Sequence, residues 1–145
     1  MSLPIQNWQA QIENMTNDPN VSIRYVKISE VDGYGFFVSI IPPGEANTGH
    51  YHPEFSEKYH ISQGQGILLS LPANQLQTGT QPVRQHVRAG MSIDIPAPII
   101  HRLVNNGQEP LIFFFECPMS HMAAENPVRT IVEDFGGPLK DLVTS

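Results

Sequence analysis

Charge is scarce in this sequence. Asp, Glu, Lys and Arg together make up only 15% of its 145 residues, and acidic groups outnumber basic ones by 14 to 8. The few cations are scattered, so no basic stripe could displace counterions from a nucleic-acid backbone. Anionic membranes are disfavoured on the same ground. No apolar run approaches the length of a membrane span. Met1 to Met15 has neither a basic start nor an apolar stretch, so it is not expected to be a secretory signal. Cys117 is the single cysteine, which rules out an internal disulfide and makes a reducing cytoplasm the simple expectation. Internal repeats and low-complexity tracts are missing too.

What is abundant is punctuation. Thirteen prolines and eleven glycines are spread along the chain. They favour many turns and few long helices, hence an all-β fold. Ile5, Trp8, Ile12 and Met15 recur at helical spacing, which predicts about three turns of amphipathic helix ending near Asp18-Pro19. Strand patterns then take over. Val21 to Val31 alternates, Asp32-Gly33 signals a turn, and Tyr34 to Ile41 follows. Further strands are expected at Gly49–Tyr51, Lys58–Ser62, Ile67–Leu71, Val83–Val87, Ser92–Ile95, Ile100–Val104 and Leu111–Cys117, with another near Val128–Val132. Leu111 to Phe115 is apolar on both faces, as suits a strand lying between an interior and a packed second layer. The stretch Pro72 to Pro82 is a polar loop, and Gly136 to Ser145 a weak tail that is a short helix or disordered. About eight to ten short strands with turns between them suit a jelly-roll or barrel. The expected division is an N-terminal helical segment over 1–20, a barrel over 21–135 and a tail over 136–145.

Three of the six histidines sit at informative places. His50 and His52 lie at i and i+2, so on a strand both imidazoles project from one face. Glu57 follows shortly after and adds a hard anionic oxygen. His101 sits in the apolar run Pro98-Ile99-Ile100-His101, where a polar ring needs a partner. Three imidazoles and a carboxylate form a suitable ligand set for one divalent ion: Fe²⁺, Mn²⁺, Zn²⁺, Ni²⁺ or Co²⁺. Tyr59 and Ile61 share a face with Glu57, and Leu103 shares one with His101, so these should line the pocket. Tyr59 and Glu116 are the candidate catalytic groups; Glu116 qualifies if it points inward, though a rim position suits it better. His60, Lys58 and Arg102 alternate outward, and His86 and His121 are expected in solvent. Tyr51 should pack away from the two histidines that flank it. Phe113 and Phe115 oppose Phe114 and Glu116, and the sequence does not say which pair faces in. Cys117 is expected as a small buried apolar residue.

At these residues the sequence resembles the cupin superfamily. The first cupin motif is G-x5-H-x-H-x3,4-E-x6-G, and this chain has Gly44, His50, His52, Glu57 and Gly64 at that spacing. The second is G-x5-P-x-G-x2-H-x3-N, and the chain has Gly90, Pro96, Pro98, His101 and Asn105. Only Pro98 departs, standing where the family has glycine. Proline fixes φ and removes an N–H, so the turn before His101 should differ in detail without displacing it. The resemblance implies a double-stranded β-helix with a metal between its sheets, held by His50, His52, Glu57 and His101. Thr48-Gly49-His50-Tyr51-His52, with His101-Arg102 and Glu109-Pro110, is also similar to archaeal-type glucose-6-phosphate isomerases, which are longer and place more residues between the second histidine and the glutamate.

A metal with two open positions suits two chemistries. It can hold a substrate beside dioxygen, as in an oxygenase, or polarise a hydroxyl and neighbouring carbonyl, as in an isomerase or epimerase. The ligand set serves either chemistry; the expectation is a mononuclear-metal oxygenase, with a sugar or sugar-phosphate isomerase and a non-catalytic small-ligand binder as alternatives. A sugar phosphate would need cations facing the cavity, from Arg24, Lys27, Arg84 or Arg88. The expected partners are a small molecule and a second copy of the chain in a homodimer.

Overall fold

The computed structural model describes residues 2–12, 15–18, 23–123 and 128–144. Among the described residues, eleven strands form two antiparallel sheets. They are β1 (Thr16–Asp18), β2 (Ile23–Val31), β3 (Tyr34–Ile41), β4 (His50–Tyr51), β5 (Glu57–Gln63), β6 (Gln65–Pro72), β7 (Val83–Arg88), β8 (Ser92–Ile95), β9 (Ile99–Val104), β10 (Leu111–Pro118) and β11 (Thr130–Ile131). One sheet has the order β1-β2-β3-β10-β5-β8, the other β11-β4-β9-β6-β7. Strands of high sequence separation lie side by side in both, the interleaving of a double-stranded β-helix. Among the described residues no helix is long and apolar enough to cross a membrane.

The tight turns follow from local chemistry. Asp32 and Gly33 both have positive φ (51° and 78°), the two-residue hairpin turn that suits the right-handed twist of β2 and β3. Before β9, the Ala97–Pro98 peptide is cis and Ile99 N–H donates to Pro96 O at 3.1 Å. His101 keeps its place on β9 despite the proline.

The interior between the sheets holds Phe37, Tyr59, Ile61, Leu68, Leu103, Phe113, Phe115 and Cys117, all buried. So Phe113 and Phe115 face inward. Phe114 faces out and forms the second layer, with Trp8 edge-on at 5.0 Å and Phe36 stacked at 5.5 Å. The back of the five-stranded sheet carries another apolar cluster. Ile67, Leu69, Leu71, Ile100 and Val104 are covered there by Phe135 and Leu142 from the C-terminal segment. Tyr51 packs against this cluster, as its alternation required. The covering segment approaches so closely that a Cβ on Gly49 would lie 2.5 Å from that of Phe135.

One expectation is corrected and two are sharpened. The N-terminal helix, α1 (Trp8–Gln11), is a single turn capped by Asn7, not three turns. Ile5 is 91% exposed, so the apolar period does not extend into a buried helix face before Trp8. By Thr16 the chain has joined the sheet as β1, where backbone pairing with β2 outcompetes a helix too short to hold itself. Pro19 and the expected start of the next strand, Val21 and Ser22, lie outside the described residues. The C-terminal stretch forms α2 (Leu139–Leu142) and is docked through Leu142. Arg102 does point away from the interior, yet it is buried rather than solvated. Its guanidinium donates to the carbonyls of Asn47 (3.0 Å), Phe135 (3.0 Å) and Gly137 (3.1 Å), tying the C-terminal segment to the sheet.

Candidate metal centre

The fold brings His50, His52, Glu57 and His101 together from both sheets. His50 on β4 stands in register opposite His101 on β9, with ring centroids 4.4 Å apart. His52 leaves the end of β4 on the same face, 5.2 Å from His50. Glu57 opens β5 in the facing sheet. One ligand atom from each of the four lies within 4.8 Å of the others, and all four side chains are buried.

Backbone carbonyls fix the tautomers. Nδ1–H of His50 donates to Thr48 O (2.8 Å), that of His52 to Val128 O (2.8 Å) and that of His101 to Ile99 O (3.0 Å). Each Nε2 is left with a lone pair turned toward the cluster. Glu57 Oε1 lies 2.7 Å from His101 Nε2, and Oε2 lies 3.4 Å from His52 Nε2. The closer contact lacks hydrogen-bond geometry: both atoms are buried without a partner. Acceptors this close repel unless positive charge stands with them. A proton can serve the His101–Glu57 pair alone, whereas a divalent ion serves all four ligands at once. The residues present therefore fit a divalent cation.

The electrostatics agree. Burial and neighbouring His101 push the His50 imidazole down to about 3, which keeps it neutral and ready to ligate. Burial alone would raise the Glu57 carboxyl, but His101, with His121 and His52, holds it well below the usual carboxylate range. Tyr59, fully inside, has its phenol raised well above the ordinary value by burial and by Glu57. Cys117 is raised by burial and then Glu57, so it stays a thiol.

His121, expected in solvent, is the residue that sequence reasoning missed. It is 1% exposed and stacks flat on His52 at 3.6 Å. Nε2–H donates to Glu54 O (3.1 Å), leaving the Nδ1 lone pair 3.6 Å from Glu57 Oε2 without a hydrogen-bond partner. It sits in the short 3-10 turn Met119–Met122 after β10, where no period announces which way a side chain points. Glu116 does not point inward, in keeping with the rim position that suits it better, so it is not part of the buried cluster. It faces outward and accepts from His60 Nε2 at 2.6 Å, with His60 Nδ1 2.8 Å from Ser92 Oγ. Tyr59 does reach the pocket wall, edge-on to His101 at 5.8 Å. His86 is exposed as expected. Asn105 anchors the loop after β9 by donating to Ile41 O and Glu109 O, both at 2.8 Å.

A family profile for glucose-6-phosphate isomerase (GPI) matches residues 5–130. The chain belongs to that family. Its GPI match covers both histidine motifs and the barrel around them. No curated protein sequence matches it. Among solved structures, a cupin 2 conserved barrel protein from Salinispora arenicola superposes with TM-score 0.62 at 17% identity, over 80% of this chain and 88% of that one. A double-stranded β-helix protein from Klebsiella pneumoniae gives 0.61 at 18%, over 91% and 99%. Oxalate decarboxylase from Lactobacillus farciminis, as a formate complex, gives 0.60 at 20%, over 83% of this chain; this chain spans about a third (34%) of it. Identities this low establish the cupin fold and nothing finer.

Proposed function

We propose that this GPI-family chain is a metal-dependent isomerase of a small hydroxy-carbonyl compound, a sugar or sugar phosphate. The observation that carries the reading is the buried, unpartnered Nδ1 of His121 beside the ligand cluster. Oxygen chemistry needs the ligand set alone. A proton transfer needs a base next to it, and His121 has a free lone pair in a fixed tautomer. Family membership supports the same choice.

His50, His52, Glu57 and His101 would hold the ion. A bound divalent ion would polarise a hydroxyl and the adjacent carbonyl as a Lewis acid. The chain's own groups do the rest. His121 takes the proton from the hydroxyl-bearing carbon at Nδ1 and returns it to the neighbouring carbon, while the hydroxyl proton passes to the old carbonyl oxygen. His52, stacked beneath, keeps the His121 ring in plane. Tyr59 stays protonated and closes the wall against water. Cytoplasmic placement and a homodimer are part of the same proposal. The first is supported by the free, buried thiol of Cys117. The second is supported by Val31 and Tyr34, exposed on the outer sheet near Phe36 and Phe114.

The test is anaerobic. Protein stripped with chelator and reloaded with Mn²⁺, Zn²⁺, Ni²⁺ or Fe²⁺ should interconvert an aldose and ketose, or their phosphates, and wash solvent deuterium into the substrate carbon. No interconversion with any of these metals, or activity only with oxygen consumed, would sink the proposal.

A further inference from the structure

Two side chains inside the barrel stand outside the four-ligand centre yet reach the same carboxylate. Cys117 is fully buried on β10. Glu116 pairs in register with Lys58, so Cys117 and Glu57 are the next opposed positions on β10 and β5, and both turn inward. Shortly after Cys117, the 3-10 turn brings His121 Nδ1 to 3.6 Å from Glu57 Oε2. One ligand atom each from Glu57, Cys117 and His121 lies within 4.8 Å of the other two, and all three residues are buried. Glu57 therefore belongs to two groupings, one with His50, His52 and His101 and one with Cys117 and His121.

The second grouping has the geometry and the need of a metal site. Two donors about 2.0–2.2 Å from one tetrahedral ion stand about 3.3–3.6 Å apart. His121 Nδ1 and Glu57 Oε2 already have that separation. The Nδ1 is buried without a hydrogen-bond partner, while His52 fixes the ring plane and Glu54 O holds the Nε2–H. Glu57 can serve both groupings because its oxygens diverge. Oε1 lies 2.7 Å from His101 Nε2, whereas Oε2 lies between His52 Nε2 at 3.4 Å and His121 Nδ1. A sulfur donor makes this set softer than three imidazoles and a carboxylate, which suits a zinc-like ion. An open cavity of about 170 Å³, lined by Tyr34, Ser56, Glu57, Lys58, Asp94 and Glu116, gives a route from solvent to Glu57. Three carboxylates against one lysine make that route favour cations.

We propose that Glu57, Cys117 and His121 form a second metal position for a zinc-like ion, sharing the Glu57 carboxylate with the four-ligand centre. Burial keeps Cys117 a thiol until the ion arrives. On binding, the S–H bond breaks, its electron pair forms the sulfur–metal bond and H⁺ leaves to solvent. Three donors, one of them shared, hold the ion more weakly than the four-ligand centre does, so this position fills only after that centre. Its consequence for turnover rests on the isomerase reading. An ion here takes the Nδ1 lone pair of His121, so metal in excess of one ion per chain inhibits.

Anaerobic titration of chelator-stripped protein with Co²⁺ tests the site, because cobalt absorbs differently with and without a thiolate ligand. The parent should bind two ions per chain, and the second should bring near-ultraviolet thiolate-to-cobalt absorption that the first does not. Cys117→Ser should lose that absorption and still bind the first ion. His121→Phe should also keep the first ion and weaken the second by about tenfold or more. Should Cys117→Ser not fold, the parent spectrum and His121→Phe decide. A parent that saturates at one ion, a second ion without thiolate absorption, or a second ion bound equally well by His121→Phe would overturn the proposal. No turnover enters this readout, so its failure is distinct from failure of the isomerase proposal. Turnover that persists with both positions filled would overturn the inhibition.

Discussion

The ring of His121 lies on that of His52 with centroids 3.6 Å apart and planes 2° from parallel. One imidazole is in the His50–His52–Glu57–His101 cluster, committed through Nδ1 to Val128 O; the other has its buried Nδ1 without a hydrogen-bond partner. Flat stacking sets their distance without a hydrogen bond between them, so the His121 ring is held in place while its Nδ1 keeps no hydrogen-bond partner.

His121→Phe keeps the aromatic stack and removes the lone pair. Turnover should fall about 100- to 10,000-fold, the usual share of a general base, with metal content unchanged. Elemental analysis and an isomerase assay on the same preparation check both halves. Full activity in this variant would remove His121 from the chemistry.

His52→Ala and His101→Ala should each lower the metal content of protein purified without chelator from about one ion per chain to a small fraction of it, with the fold retained. Parent and variants carrying equal metal would dismiss the four-ligand site.

That site was legible because strand geometry is simple. His50 and His52 share a face by the period of two, and the resemblance to the cupin motifs at Gly44, Glu57, Gly90 and His101 implied the rest. His121 was not, because it sits in a 3-10 turn whose direction is set by how β10 ends. Arg102 was half legible. Alternation turned it outward correctly, but only the docked C-terminal segment, through Phe135 and Gly137, makes outward mean buried. The period in Ile5, Trp8, Ile12 and Met15 misled because propensity over so short a stretch yields to the open edge of β2.

Arg102→Met removes three charge-assisted hydrogen bonds and strands their carbonyls. It should destabilise the protein by about 2–3 kcal/mol and free the C-terminal segment for proteolysis. Urea denaturation and limited proteolysis with mass analysis check this; an unchanged midpoint would show that apolar packing of Phe135 and Leu142 suffices.

The metal-free protein should lose stability in mild acid. His50 has an ordinary value of 6.5 and is pushed to about 3 when folded. Between these values the unfolded chain takes up a proton that the folded chain refuses. The stabilisation is thus fully present above 6.5 and declines as pH falls toward 3. Glu57, held low, adds loss in the same direction at still lower pH. Urea midpoints of chelated protein at about pH 7.5 and about pH 5 should differ. The difference should shrink in His50→Gln, and a flat profile in the parent would contradict it.

The acceptors that hold His50, His52 and His101 are all peptide carbonyls, from Thr48, Val128 and Ile99. Point mutation can change a side chain but cannot delete a carbonyl. The orientation of these rings is therefore insulated from sequence drift at the positions that hold them. Substitutions at those three positions leave the acceptors in place so long as the strands keep their path. Retuning the metal then has to come from the ligands themselves, or from insertions that bend the backbone.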